Sequence, residues 1–403
     1  MGIRRVFVNT MGRISTFRSY QFVLLLAAAL AVVAFYYFGS ERHDFSSTTK
    51  RIKQTQASHN TNRNDADLSL DTKRLHNEKG KLKEQGKAEE EYDEGWSRRS
   101  GSGPKVTRYY HALMMFTKVD KSRGLQEKFR VAMLSMTKHG LFQDDEVLVF
   151  HFVSDVGSRE LGERMLPELL IDATFQYEVV FHDVGVLSQK LFPVVEAMQK
   201  HFSAGSGAYY SNAIFFLSVA MHHLMPADLQ RIVQLDLDLK YRSNIRELFL
   251  QFEHFPPGAV IGIAREMQPV YRHTFWQYRK ENPGSRVGDP PPDGLPGFNS
   301  GVMLLNLEAM RISALYNQLL EPDNVARLAD QYHFKGHLGD QDFFTMIGME
   351  HPGLFHALAC GWNRQLCTWW REHGYGDVFQ LYFRCDGPVY IYHGNCNTPI
   401  PDD

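Results

Sequence analysis

Between residues 107 and 403, short apolar runs alternate with amphipathic ones, and that alternation restricts the fold more than any other feature of the sequence. The segments "YYHALMMF", "EVLVFHFV" and "YEVVFHD" have the length and the β-branched and aromatic content of strands. Between them, "LQEKFRVAMLSMTKHG" and "SRELGERMLPELL" carry apolar residues at helical spacing. Helical patterns continue in "LSQKLFPVVEAMQKHF" and "NAIFFLSVAMHHLM", followed by the apolar strand of "QRIVQLDLDLKY". Parallel strands need a crossover between them, so this order predicts an α/β domain, a mostly parallel sheet flanked by helices on both faces. Sheets of this kind bind nucleotides at the carboxyl ends of their strands. Neither a Gly-x-Gly-x-x-Gly after the first strand nor a Gly-x-x-x-x-Gly-Lys-Ser/Thr occurs, which removes the main support for a dinucleotide or P-loop site.

The remaining segments are of another kind. Residues 22–38, "FVLLLAAALAVVAFYYF", contain no charged side chain and as a helix are just long enough to cross a thin bilayer. Arg4, Arg5, Arg13 and Arg18 precede the run, and the mixed charges of Glu41, Arg42 and Asp44 follow it. The positive-inside rule therefore predicts a cytosolic tail (1–21), a transmembrane signal anchor (22–38) and a luminal remainder, a single-pass type II arrangement. A cleaved signal peptide would have a shorter apolar core and a small-residue cleavage site, which "FYYFGSER" does not offer. The short span suits the membrane of the endoplasmic reticulum, with the Golgi as the alternative. Residues 39–106 are dominated by Lys, Glu, Asn, Thr, Ser and Gln and read as a flexible luminal stem with a reach on the order of 45 Å. The net charge of −2 provides no whole-chain argument for nucleic acid. All four cysteines, Cys360, Cys367, Cys385 and Cys396, fall near the C-terminus. In a luminal domain they predict two disulfides with the pairing left open. The sequence also leaves open the oligomeric state, a homodimer included.

Asp236 and Asp238 sit in a run that otherwise reads as a buried strand. A carboxylate taken out of water costs several kcal/mol unless a cation or donor meets it. Residues i and i+2 of a strand face the same way, roughly 6.6–7 Å apart, so near a strand end the pair can converge on one cation. Capped or salt-bridged aspartates are the bland reading of so short a motif. In "LPGFNSGVMLLN", Gly297 and Gly301 flank Asn299 and Ser300. The glycines let backbone approach a ligand, or simply make a tight turn, and the Asn299 amide can bridge sugar hydroxyls. In "HLGDQDFF", Asp340, Gln341 and Asp342 open a helical run in which Asp340 alone would read as an N-cap. "YIYHGNCNTP" delivers His393 from a strand to a glycine turn.

Taken together and in this order, Asp236-x-Asp238, "GFNSGVMLLN", "GDQDFF" and "HGN" resemble the retaining sugar-nucleotide glycosyltransferases of family 8, which include glycogenin and bacterial galactosyltransferases. Within that family, "QLDLDLKYRSNIRELF", "IGIAREMQPVYRHTFWQ", "QDFFTMIGMEHP" and "WNRQLCTWWREHGY" resemble the xylosyltransferases that extend xylosyl-glucose O-glycans on the epidermal-growth-factor repeats of Notch-type proteins. The resemblance covers residues 107–403 and implies an A-type glycosyltransferase fold for that catalytic domain, with UDP-xylose as donor. It implies that Asp236, Asp238 and His393 ligate a divalent metal, which Mn²⁺ suits better than Mg²⁺, still an option, because an imidazole joins the oxygens. Asp340 and Gln341 match catalytic positions, Gln341 the one beneath the anomeric carbon. Donor contacts fall on Met115, Phe116, Thr117, Asp236, Leu237, Asn299, Ser300, Asp340, Gln341 and Asn395. His273, Trp276, Trp369 and Trp370 are acceptor candidates, since aromatic faces suit the apolar side of a sugar ring. The chain departs from the wider pattern twice. Its "HGNCNTPIPDD" ending contains Asn395 and Asn397 but no lysine. An arginine of many relatives is replaced near Asn212. The diphosphate charge is then left to the metal and neutral donors. A different UDP-sugar donor, a non-catalytic glycan-binding module and a metal phosphohydrolase are the competing readings.

Overall fold

The computed structural model of the chain describes residues 74–76, 107–203 and 213–402. Its strands, in chain order, are β1 (Arg74–His76), β2 (Arg108–Phe116), β3 (Glu146–Ser154), β4 (Gln176–Asp183), β5 (Arg231–Leu235), β6 (Leu239–Tyr241), β7 (Ile261–Arg265), β8 (Phe298–Asn306), β9 (Phe355–Leu358), β10 (Arg364–Gln365) and β11 (Ile391–His393). Eight of them form one sheet in the order β1-β4-β3-β2-β5-β8-β7-β9, and β10-β11-β6 form a second, small sheet. The pairs β4-β3, β3-β2, β2-β5 and β7-β9 are parallel, whereas β8 runs antiparallel to both β5 and β7. Arg74–His76, within the segment read as a stem, pair antiparallel with β4 at the sheet edge.

The predicted alternation is realised where the sequence is most regular. Two capped helices carry the first crossovers. α1 (Arg123–His139) starts at Ser122, whose side chain accepts from the Leu125 amide, and α2 (Val156–Leu169) starts at Asp155, which accepts from the Ser158 amide. Strand β3 is buried at all nine positions, as befits a central strand covered on both faces. Successive strand residues feed opposite layers. Leu113, Val153, Ile232 and Met303 enter one apolar core, and Ala112, Met114, Phe152, Val233 and Val302 enter the other.

Three expectations need correction. The single helix expected over "LSQKLFPVVEAMQKHF" is two, Val184–Lys190 and Phe192–Phe202, with Pro193 opening the second. "NAIFFLSVAMHHLM" is not α-helical but two short 3-10 segments, Ala213–Phe216 and Ser218–His223, with non-helical backbone at Ala220. Its β-branched and aromatic residues leave the α-helix weakly favoured. Asp236 and Asp238 do not lie within a strand, because β5 ends at Leu235 and β6 begins at Leu239. Among the described residues no helix is long and apolar enough to cross a membrane. Residues 22–38, where the sequence predicts one, and Asn212 lie outside the described residues.

Candidate active site

Strand direction gathers the motifs at one edge of the sheet. β2, β5 and β7 all end there, and the antiparallel β8 begins there. Asp236 directly follows β5, and its amide donates to the Gly301 carbonyl of β8 at 2.9 Å. Glu266 directly follows β7. In the small sheet, β11 pairs antiparallel with β6 so that His393 lies opposite Leu239, which sets the imidazole beside Asp238. The helix α3 (Asp340–Glu350) presents Asp340 and Gln341 from its first turn. Its N-cap is Gly339, so Asp340 is a first-turn residue facing the site rather than the cap.

The cleft so formed has a volume of about 640 Å³. Met115, Thr117, Asp236, Leu237, Asp238, Asn299, Ser300, Asp340, Gln341, His393 and Asn395 all line it, together with His273, Trp369 and Trp370. Two expected contacts lie elsewhere. Phe116, adjacent to Met115 on a strand, points to the opposite face and packs against Phe129 at 4.6 Å. Trp276 is 58 % exposed and does not line the cleft.

Asp236, Asp238 and His393 each offer a ligand atom within 4.8 Å of the others. Nε2 of His393 is 3.3 Å from Oδ1 of Asp238 and 3.6 Å from Oδ2 of Asp236. Its Nδ1 faces the Asn363 side-chain oxygen at 2.9 Å, and the Asn363 amide nitrogen donates to the Asn299 side-chain oxygen at 2.9 Å. That chain assigns the tautomer. Nδ1 carries a hydrogen, so Nε2 turns a bare lone pair towards two carboxylates unless a proton or a cation intervenes. The donor set therefore fits a divalent ion.

Electrostatics agree. Burial works against a charge on His393, but its hydrogen bond to Asp238 and the surrounding acids prevail, and its proton affinity rises. Burial likewise opposes ionisation of Asp238, yet His393 and Lys128 hold its carboxyl well below the usual range. Enclosure and the neighbouring acids push Asp236 upward, an effect tempered by water because its side chain is 46 % exposed. A carboxylate that keeps its proton in this enclosure surrenders it to an incoming cation.

Behind these groups lies a hydrogen-bonded floor that sequence reasoning missed. Glu266 accepts from the amide nitrogens of Asn299 at 3.1 Å and Gln341 at 3.3 Å, and from the Gln268 backbone at 3.1 Å. Gln341 also donates to the Tyr271 hydroxyl at 3.3 Å, and Tyr271 donates to Asp342 at 2.9 Å. The Gln341 carbonyl oxygen in turn accepts from the Ser300 amide at 3.2 Å. Both ends of that side-chain amide are thus committed, and its orientation is fixed. Asp340 accepts from the hydroxyls of Ser300 and Ser218. Burial pushes Glu266 and Asp342 up to about 7 and Asp340 up to about 6. Glu266 and Tyr271 sit inside "IGIAREMQPVY" as one acid and one aromatic among many, so nothing local marks them.

The two glycines of "GFNSG" make room for side chains of the site. A Cβ on Gly301 would lie 2.3 Å from Cε1 of His393, and Gly297 has φ +86° with Tyr271 packed against it. Disulfides Cys360–Cys385 and Cys367–Cys396 settle the open pairing. The second ties the "HGNCN" turn to the segment that carries Trp369 and Trp370, and the Asn395 side-chain oxygen accepts from the Cys367 amide at 2.9 Å.

No protein-family model matches the chain. It is 62 % identical over 396 residues to xyloside xylosyltransferase 1 of Mus musculus, spanning 98 % of this chain and 97 % of that protein. Against xyloside xylosyltransferase 1 of Homo sapiens the identity is 61 % over the same length. The chain belongs to the xyloside xylosyltransferase family. The crystal structure of the mouse family member, in its apo form, superposes with a TM-score of 0.69 at 70 % identity, covering 72 % of this chain and 99 % of that one. This member of the family is accordingly a glycosyltransferase, built on the α/β glycosyltransferase fold that the sequence resemblance implied.

Proposed function

We propose that the chain transfers xylose from UDP-xylose, with retention, to the terminal xylose of a xylosyl-glucose O-glycan on epidermal-growth-factor repeats, forming an α-1,3 linkage. The observation that carries this reading is the gathering of Asp236, Asp238 and His393 in the cleft that Gln341 also lines, in a chain of this family. Asp236, Asp238 and His393 hold the cation, with Mn²⁺ the better match to a mixed oxygen and imidazole set and Mg²⁺ the second candidate. When bound, it supplies positive charge where the departing diphosphate becomes more negative. Met115 and Thr117 border the nucleoside. Asn299, Ser300 and Asp340 hold donor hydroxyls, and His273, Trp369 and Trp370 receive the acceptor sugar.

Gln341 is a neutral amide held at both ends and is a weak nucleophile. Glu266 accepts hydrogen bonds at both oxygens and is pushed up to about 7 by burial, which makes it a poor anionic nucleophile. Same-face substitution follows. The bond between the anomeric carbon and the diphosphate oxygen breaks, the acceptor hydroxyl oxygen bonds to that carbon from the same side, and its proton passes to the departing phosphate. Gln341 steadies the positive charge that develops at the carbon.

The domain plan is part of the proposal: tail 1–21, anchor 22–38, stem 39–106 and catalytic domain 107–403, in a type II membrane protein facing the lumen of the endoplasmic reticulum. The full chain is expected to release UDP from UDP-xylose in the presence of a xylosyl-glucosyl acceptor, to stop on chelation and to resume on adding Mn²⁺. A β linkage in the product sinks the retaining assignment. Full turnover by Gln341→Asn removes Gln341 from the mechanism. UDP-glucose or UDP-galactose outcompeting UDP-xylose reassigns the donor.

A further inference from the structure

We infer that Lys128 is a ligand of the donor's diphosphate, parked on Asp238 until the nucleotide and its cation arrive. The inference rests on the sugar-nucleotide reading above. Lys128 projects from α1, far in sequence from every motif of the site. Its Nζ nevertheless lies 3.3 Å from Oδ2 of Asp238 and 2.8 Å from the side-chain oxygen of Asn397. Asn397 belongs to the "HGNCN" turn that follows His393, so the ammonium is held between two elements of the cation site.

Charge gives the reason. Four acids, Asp236, Asp238, Glu266 and Asp340, line the cleft, Asp238 held in its charged form, and among the described residues lining it Lys128 is the sole Lys or Arg. A diphosphate adds several negative charges to that lining. Like charges brought together in a partly desolvated cleft repel strongly, so a mobile cation within reach is worth more here than at an open surface. Asp238 links the two positive positions: Oδ1 faces His393 and the candidate cation site, and Oδ2 faces Lys128. Lysine suits this task because its ammonium is a point charge on a flexible stem with three donors, only two of which are engaged. The side chain is 27 % exposed, neither locked in the core nor free in solvent.

The same placement has an opposite consequence for the metal. An ammonium on Asp238 withdraws part of that carboxylate's negative charge from any cation binding without nucleotide. Removing Lys128 should therefore strengthen one equilibrium and weaken the other, which a packing role would not do.

The test is titration calorimetry on the full chain, wild type against Lys128→Gln and Lys128→Arg, with Mn²⁺ alone, with UDP in saturating Mn²⁺, and with uridine in saturating Mn²⁺. Lys128→Gln is expected to weaken UDP by about ten- to a hundredfold, the worth of a charge-assisted hydrogen bond. It should also leave uridine within about twofold, as a surface change does, and bind Mn²⁺ alone more tightly. Lys128→Arg should recover most of the UDP affinity. Unchanged UDP affinity in Lys128→Gln overturns the inference, and so does equal weakening of UDP and uridine. If the wild type itself shows no Mn²⁺-dependent UDP binding, the reading beneath the inference fails and takes it along.

Discussion

Histidines in two regions of this molecule are held to opposite proton affinities. In the cleft at the carboxyl ends of the strands, His393 faces Asp236 and Asp238, and its affinity for a proton is raised despite burial. A larger cavity, of about 970 Å³, opens on the face of β2, β3 and β4 that carries His111, His151 and His182. There the imidazoles contact one another. Nδ1 of His111 is 3.0 Å from Nε2 of His151, and Nδ1 of His151 is 2.9 Å from Nε2 of His182. Burial drives His111 and His182 down to about 4. Size alone would select the cavity as the site. Its imidazoles run in a file, each engaged by the next, whereas the cleft turns two carboxylates and one imidazole on a common point. Convergence of unlike groups, rather than volume, marks the place where a cation and an anion can meet.

That contrast can be broken most forcefully at Asp238. Asp238→Asn should lower kcat/KM for xylose transfer by about a thousandfold, the upper range for loss of a preorganised electrostatic group, while thermal unfolding stays close to wild type. A collapse of stability with activity retained per folded molecule would instead make the carboxylate structural.

At the cavity the measurable quantity is stability against pH. The folded His182 titrates near 4 against an ordinary 6.5. The unfolded chain therefore binds the extra proton first, and the stability contribution is complete above pH 6.5 and is lost as pH falls towards 4. For so buried a ring the difference amounts to about 3 kcal/mol at the acid end. Denaturant unfolding at pH 7 and pH 4.5 should show a shallower decline for His182→Gln than for wild type, with transfer at pH 7 unaltered. Parallel pH curves for the two proteins would exclude His182 as the source.

Glu266→Gln sharpens the picture inside the cleft. The replacement puts an amide against Asn299 and Gln341, both of which donate to Glu266. A fall in kcat of about ten- to a hundredfold is expected with little change in donor KM, since the partners lose orientation rather than contact. A rise in donor KM with kcat intact would assign Glu266 to binding instead. The smallest effect belongs to Trp276, which stands outside the cleft. Trp276→Ala should leave turnover of a glycopeptide acceptor within about twofold, as surface substitutions do, whereas Trp370→Ala should raise the acceptor KM. Equal losses in both would extend the acceptor surface across Trp276.

The regular part of the sheet was legible because each signal was local. The buried run of β3, the cap at Ser122 and the cap at Asp155 each state their structure within a few residues. The motifs Asp236-x-Asp238, Asp340-Gln341 and His393 were legible because each combines an unusual polar residue with an apolar neighbourhood. What stayed illegible was whatever depends on a distant partner. Lys128 is one lysine on an amphipathic helix until Asp238 and the C-terminal turn arrive beside it. Phe116 follows its neighbours in the motif, yet strand alternation turns it into the opposite core. The disulfide pairing among four equivalent cysteines also needed their positions in space.

The sequence by itself determined an α/β domain, the side chains able to hold a cation and the family to which the chain belongs, because periodicity and residue chemistry are written along the chain. Only the tertiary structure decided which groups meet. The antiparallel return of β8 and the small sheet's register bring Gly301 and His393 to Asp236, within hydrogen-bonding and ion-pairing reach, and such distances follow from strand pairing, a relation between segments that no single segment contains.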